Sequence, residues 1–115
     1  MFVLFIVLNK KEYLEDVLGT LVAEGVRGAT IIDSKGMAGA VIHGNMDQIP
    51  LFGSLRSFMD GAYPYNTTVF SVIGTEELLN KTVKAIDQLF VNVKKPGAGF
   101  MFTMPVNGIY GLGRH

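Results

Sequence analysis

The sequence contains no cysteine. That rules out a disulfide framework, a thiol nucleophile and a thiolate metal centre, and it suits a reducing cytoplasm. Net charge is also missing: ten Lys and Arg offset ten Asp and Glu. A protein that grips a polyphosphate backbone needs a basic field, so nucleic acid is not an expected partner. A third absence is a long apolar run. Met1 to Leu8 is apolar, but Asn9-Lys10-Lys11-Glu12 follows at once, well short of the roughly 20 residues that cross a bilayer. No basic segment precedes this stretch and no small-residue cleavage site follows it, so it reads as a buried strand rather than a signal peptide. Membrane insertion is not expected. There is no low-complexity tract either. What is present is apolar: 49% of 115 residues are hydrophobic, enough for one domain over residues 1–115 with a core of its own. High apolar content without net charge favours self-association, because a chain this short has little interior in which to hide it.

One pattern occurs twice. Phe2 to Leu8 is apolar at every position, as in a strand covered on both faces. Asn9 and Glu12 are spaced as a capping box, and Leu14, Val17, Leu18, Leu21 and Val22 then recur at helical spacing until Gly25. Val26 to Ser34 reads as a second strand, with Ala29, Ile31 and Asp33 facing opposite to Thr30, Ile32 and Ser34. The second copy begins at Thr67 to Ile73. Gly74-Thr75-Glu76-Glu77 then supplies a turn, a cap and acids that suit a helix N-terminus. Leu79, Val83, Ile86, Leu89 and Phe90 set the stripe of that helix, Lys94 to Gly97 ends it, and Gly99 to Pro105 forms the last strand. The expected fold class is α+β: a ferredoxin-like βαββαβ sandwich with a four-stranded antiparallel sheet, two helices on one face and a long β2–β3 loop over about 37–66. The opposite face is expected to stay apolar at positions such as Phe2, Leu4, Val69 and Met101 or their neighbours, and to be covered by other copies.

The connection between the halves is too long and too apolar for a mere link. Within it Leu51, Phe52, Leu55, Phe58 and Met59 fall on one side of a short helix opened by Pro50. Such a stripe either packs on its own protomer or docks a partner. Gly97-Ala98-Gly99 is either a tight helix-to-strand turn or a nest of amides for an anion. The glycines from Gly36 to Gly39 are either a hinge for the loop behind them or ordinary turn punctuation. His43 and Asp47, with His115 remote, fall short of a metal site. No nucleophile, base and orienting group share a suggestive spacing, and Glu12, Glu15, Asp16, Glu76, Glu77 and Asp87 sit on helix faces or caps, so no catalytic residue and no metal ligand is assigned.

The order of elements, together with Gly28-Ala29-Thr30-Ile31-Ile32-Asp33-Ser34-Lys35-Gly36-Met37 and Lys95-Pro96-Gly97-Ala98-Gly99-Phe100-Met101-Phe102, resembles the PII nitrogen-regulatory signalling family over nearly the whole chain. The resemblance implies a homotrimer with its sheets facing the threefold axis. It also implies a loop that contacts target proteins and a small effector, commonly an adenine nucleotide, in each cleft between subunits. The ligand-binding positions it implies are Thr30, Lys35, Gly36, Met37, Gly97, Ala98 and Gly99. Phe100 stands where the family places lysine, and Gly111 and Gly113, with only Arg114 adjacent, stand near the family's two arginines. Ala38-Gly39-Ala40 replaces an arginine and glutamine stretch, and Tyr63 and Tyr65 flank Pro64 outside the surroundings of the modifiable tyrosine. These departures remove charged phosphate donors, the strong kind of hydrogen bond, so ATP sensing, 2-oxoglutarate sensing and tyrosine modification are not carried over and the cofactor stays unassigned. The expected protein is a cytoplasmic, non-enzymatic trimeric regulator that binds a small effector and signals through residues 37–66 to a target protein in nitrogen metabolism. The alternative is a ligand-free interaction or scaffold trimer that has lost the phosphate site.

Overall fold

The computed structural model describes residues 1–37, 65–94 and 97–113. Within them the order is β1 (Phe2–Leu8), a 3-10 turn (Lys11–Tyr13), α1 (Leu14–Ala23), β2 (Thr30–Lys35), β3 (Tyr65–Ile73), α2 (Glu76–Leu89) and β4 (Gly99–Pro105). The strands form one antiparallel sheet in the order β2-β3-β1-β4, and both helices pack on one side, which is the expected α+β, ferredoxin-like arrangement. The stripe expected from Leu51 to Met59, His43, Asp47, Tyr63, Lys95, Pro96, Arg114 and His115 lie outside the described residues.

Strand alternation decides what is core. Leu4, Ile6 and Leu8 of β1 and Val69 and Ile73 of β3 point at the helices and are 0–2% exposed. They meet Val17 and Leu21 of α1 and Leu79 and Ile86 of α2 in one apolar cluster. Leu4 and Val69 therefore face the helices, not outward as expected from the sequence. Phe2 and Met101 also pack against this cluster, and the outward positions are their neighbours, one residue along each strand. A one-residue shift changes the face because the side-chain period is 2.

The helix ends show local chemistry at work. Thr75 caps α2, its hydroxyl accepting from the Leu78 amide at 3.1 Å. Gly25, with φ +93°, closes α1: its amide donates to the Val22 carbonyl, and the Val26 amide donates to the Leu21 carbonyl. This 6→1, 5→2 pair is a Schellman motif, and it carries Val26 into the core beside Leu21. The capping box expected at Asn9 does not form. No side chain caps the 3-10 turn; Asn9 instead donates its side-chain amide to the Gly97 carbonyl at 3.1 Å and its backbone amide to the Ala98 carbonyl at 2.7 Å. That clamp fixes the turn into β4. Tyr13 meets Phe90 edge-on at 5.2 Å and joins the start of the first helical segment to the end of α2.

Candidate functional site

No described element lies on the sheet face opposite the helices. Phe5 of β1 sits between Phe70 of β3 at 5.6 Å and Phe102 of β4 at 4.7 Å, the second pair nearly parallel, and Phe100 extends the row at 6.1 Å from Phe102. Ile32, Val72, Phe102 and Met104 share this face by register, each 42–46% exposed, and Phe100 is 60% exposed. A sheet of four strands and about seven residues spans roughly 19 by 23 Å. Its apolar residues run from Ile32 across Phe70 and Phe5 to Phe102 and Met104, while Thr30, Ser34, Asn66 and Thr68 make its β2–β3 side partly polar.

The ligand-binding positions expected from the sequence do not converge within one protomer. Gly99 pairs with Leu8, Leu8 with Thr67 and Thr67 with Asp33, so one row crosses all four strands. Lys35 and Gly36 and the turn Gly97–Gly99 therefore lie at the same end of the sheet but on opposite edges, three strand spacings or roughly 14 Å apart. Thr30 pairs with Phe70 in mid-sheet on the uncovered face, whereas Lys35 belongs to the helix side. Five residues of strand, roughly 17 Å, separate them. Met37 is exposed next to Gly36.

The turn itself is firmly built. Gly97 has φ +92° and donates its amide to the Lys94 carbonyl at 3.0 Å, so that amide is not open to an anion. Ala98 is 8% exposed. At Gly99, φ is +151° and a Cβ would stand 1.8 Å from the Val7 carbonyl oxygen. Glycine at 99 is thus required by the close approach of β4 to β1, and its presence is not evidence of a ligand.

A second group of polar residues gathers where β2 ends and β3 begins. Lys11, Asp33, Ser34, Lys35, Tyr65, Asn66 and Thr67 are the described lining of a cleft of about 600 Å³. Lys11 Nζ lies 3.9 Å from Asp33 Oδ1 with both side chains largely exposed, a pair that contributes no more than about 1 kcal/mol. Lys35 Nζ stands 5.8 Å from the centre of the Tyr65 ring. The Ser34 hydroxyl bonds the Asn66 side chain and lies 2.8 Å from the Thr68 hydroxyl, so it is tied into a cross-strand network of neutral side chains. Of these residues only Lys35 is indicated by the sequence. The signal it lacked was register: Asn66-Thr67-Thr68 is a polar entry to β3, and pairing Asp33 with Thr67 and Ser34 with Asn66 is what gathers them. Among the described residues no three His, Asp or Glu side chains gather to hold a metal ion, and no helix is long and apolar enough to cross a membrane.

The fold and the bare sheet face define an α+β sandwich of the kind found in PII proteins. No protein-family profile matches the chain, and no curated protein matches it. Among solved structures it is similar to the Arabidopsis thaliana PII protein bound to citrate, with a TM-score of 0.59 and 14% identity over 91% of this chain and 76% of that one. At that identity the likeness concerns the fold.

Proposed function

We propose that residues 1–115 form one PII-like domain acting as a cytoplasmic, non-enzymatic regulator. Three copies associate through their uncovered sheet faces, and a small effector lodges in each seam. The connection 37–66 reports occupancy to a target protein, in the regulation of nitrogen metabolism. The observation that carries this reading is the placement of Lys35-Gly36 and Gly97–Gly99 on opposite edges at one end of the sheet. Only where the β2 edge of one copy meets the β4 edge of another can both groups touch one small ligand. Thr30, on the uncovered face of the same edge strand, then extends the seam toward mid-sheet.

Signalling through the loop requires unequal contact. An effector held by Lys35, Gly36 and Met37 at the loop's root shifts the loop only as far as it binds one loop state better than another. Adenine nucleotides are one candidate class. The Arabidopsis PII structure has citrate bound, which makes a small polycarboxylate a second. The test is light scattering on the purified chain, followed by thermal shift with adenine nucleotides, citrate and simple metabolites. A mass near three times 12.5 kDa and stabilisation by one ligand, lost on Lys35→Glu, support the sensor. A lone protomer would end the reading.

A scaffold trimer without an effector is favoured by two local facts. Phe100 stands 60% exposed where a basic residue would hold phosphate, and the Gly97 amide is already spent on Lys94. A trimeric mass with a flat ligand panel selects it.

A further inference from the structure

Beyond β4 the chain runs on as a tail without regular structure, Val106 to Gly113, held at its root by the Val106 amide, which donates to the Met1 carbonyl at 3.0 Å. The next two residues are Asn107 and Gly108. Asn107 is exposed, and among the described residues neither its side chain nor the Gly108 amide has a hydrogen-bond partner. Gly108 has no Cβ to shield its nitrogen, and glycine allows the backbone its widest range of φ and ψ. Such a nitrogen, uncommitted and free to turn, comes within reach of the preceding side-chain carbonyl carbon.

We propose that Asn107 is a site of spontaneous covalent modification. The deprotonated Gly108 nitrogen attacks Asn107 Cγ; a C–N bond forms, the Cγ–Nδ2 bond breaks, and ammonia leaves carrying the proton that the Gly108 nitrogen gave up. The product is a five-membered succinimide. Water then opens the ring at either carbonyl, restoring the proton on nitrogen and leaving aspartate or, where the original peptide bond is the one cut, isoaspartate. Water is the only co-reactant and no electrons are transferred. A chain of zero net charge gains a carboxylate, and isoaspartate also adds a methylene to the main chain just before the exposed Ile109, Tyr110 and Leu112.

The other described asparagines lack this combination. Asn9 donates its side-chain amide to the Gly97 carbonyl, and Asn66 accepts from the Ser34 hydroxyl within β3. Asn80 lies inside α2, where the following amide is committed to the helix. Val93, which follows Asn92, is β-branched and donates its amide to the Phe90 carbonyl at 3.0 Å. The reaction uses two adjacent residues and solvent, so it requires no effector and no target protein.

The test is incubation of the purified full chain in mildly alkaline and in mildly acidic buffer, followed by isoelectric focusing and peptide mass spectrometry. A species more acidic than the parent, whose pI is about 6.7, should accumulate, with aspartate and isoaspartate both found at position 107. It should form faster in the alkaline buffer, because the attacking nitrogen is the deprotonated one. Asn107→Gln, whose longer side chain would have to close a six-membered ring, should lose the acidic species. Gly108→Ala should slow its formation several-fold; the added Cβ would meet the Tyr110 hydroxyl at 2.9 Å, the end of a side chain that can rotate away. Absence of the acidic species, a change that reaches another asparagine before Asn107, or equal rates for Gly108→Ala and the parent would overturn the assignment.

Discussion

A Cβ placed on Gly99 would stand 1.8 Å from the Val7 carbonyl oxygen, whereas one on Gly97 would meet nothing within 4 Å. Both have positive φ, +151° and +92°. Gly97→Ala therefore carries only the backbone penalty, about 1–2 kcal/mol. Gly99→Ala adds a collision between backbone atoms that no rotamer can relieve, and it should lose at least about 3 kcal/mol in urea unfolding. Equal losses would show that the β1–β4 approach relaxes freely. A ligand effect lost on substituting Gly99 would report folding rather than recognition. Thr82 makes the converse case. It is fully buried in α2, and its hydroxyl has no hydrogen-bond partner among the described residues. An unsatisfied buried hydroxyl is destabilising, so Thr82→Val, which keeps the shape, should raise the unfolding free energy by about 1 kcal/mol, measured by the same urea titration.

At the scale of elements, two segments that look alike in sequence begin their helices differently. Thr75 holds the Leu78 amide and caps α2, so Thr75→Ala should lower stability by about 1 kcal/mol. Asn9 holds the β4 turn and caps nothing. Asn9→Ala should cost a similar amount, but Glu12→Ala, which would remove the acceptor of a real capping box, should cost no more than the few tenths of a kcal/mol of an exposed ion pair with Lys10. A loss of about 1 kcal/mol with Glu12→Ala would restore the box. These cases mark what was legible in the sequence. Strands and helices followed from period 2 and period 3.6, and the bounds of β4 and the cap of α2 were readable from local residues. But β2 begins at Thr30 rather than at Val26, which leaves α1 through its Schellman turn into the core, and Val22 and Leu89 of the helical stripes are exposed. The faces were harder. Phe2 to Leu8 is apolar throughout, so nothing local says that Leu4 is inward and Phe5 outward; only pairing to Ser71 and Thr103, Phe70 and Phe102 fixes it. The polar cleft was hidden for the same reason, since Lys11, Asp33 and Thr67 become neighbours through register and a contact between distant segments. Asn9 had two satisfying uses, and tertiary contact with Gly97 won over the local cap.

For the whole molecule, the uncovered face lets folding be tested apart from the proposed association. Phe102 stacks on Phe5 at 4.7 Å but remains 42% exposed, and the core cluster is complete without it. A charge placed there stays in water in an isolated protomer and would be buried unpaired between copies, which is costly by several kcal/mol. Phe102→Glu should therefore leave a cooperative thermal transition while light scattering falls from a trimeric mass to about 12.5 kDa. Ile86→Glu, at a fully buried core position, should abolish folding and so cannot mimic that result. An unchanged mass for Phe102→Glu would move the association to another surface, and the exposed Tyr110 and Leu112 of the extended tail, 88% and 91% accessible, would be the next residues to change. Loss of the trimer together with loss of any effector response, in a protomer that still folds, would place the ligand in the seam rather than in the polar cleft of a single chain, because Lys11, Asp33 and Lys35 stay together in one protomer while Lys35 and Gly97 do not.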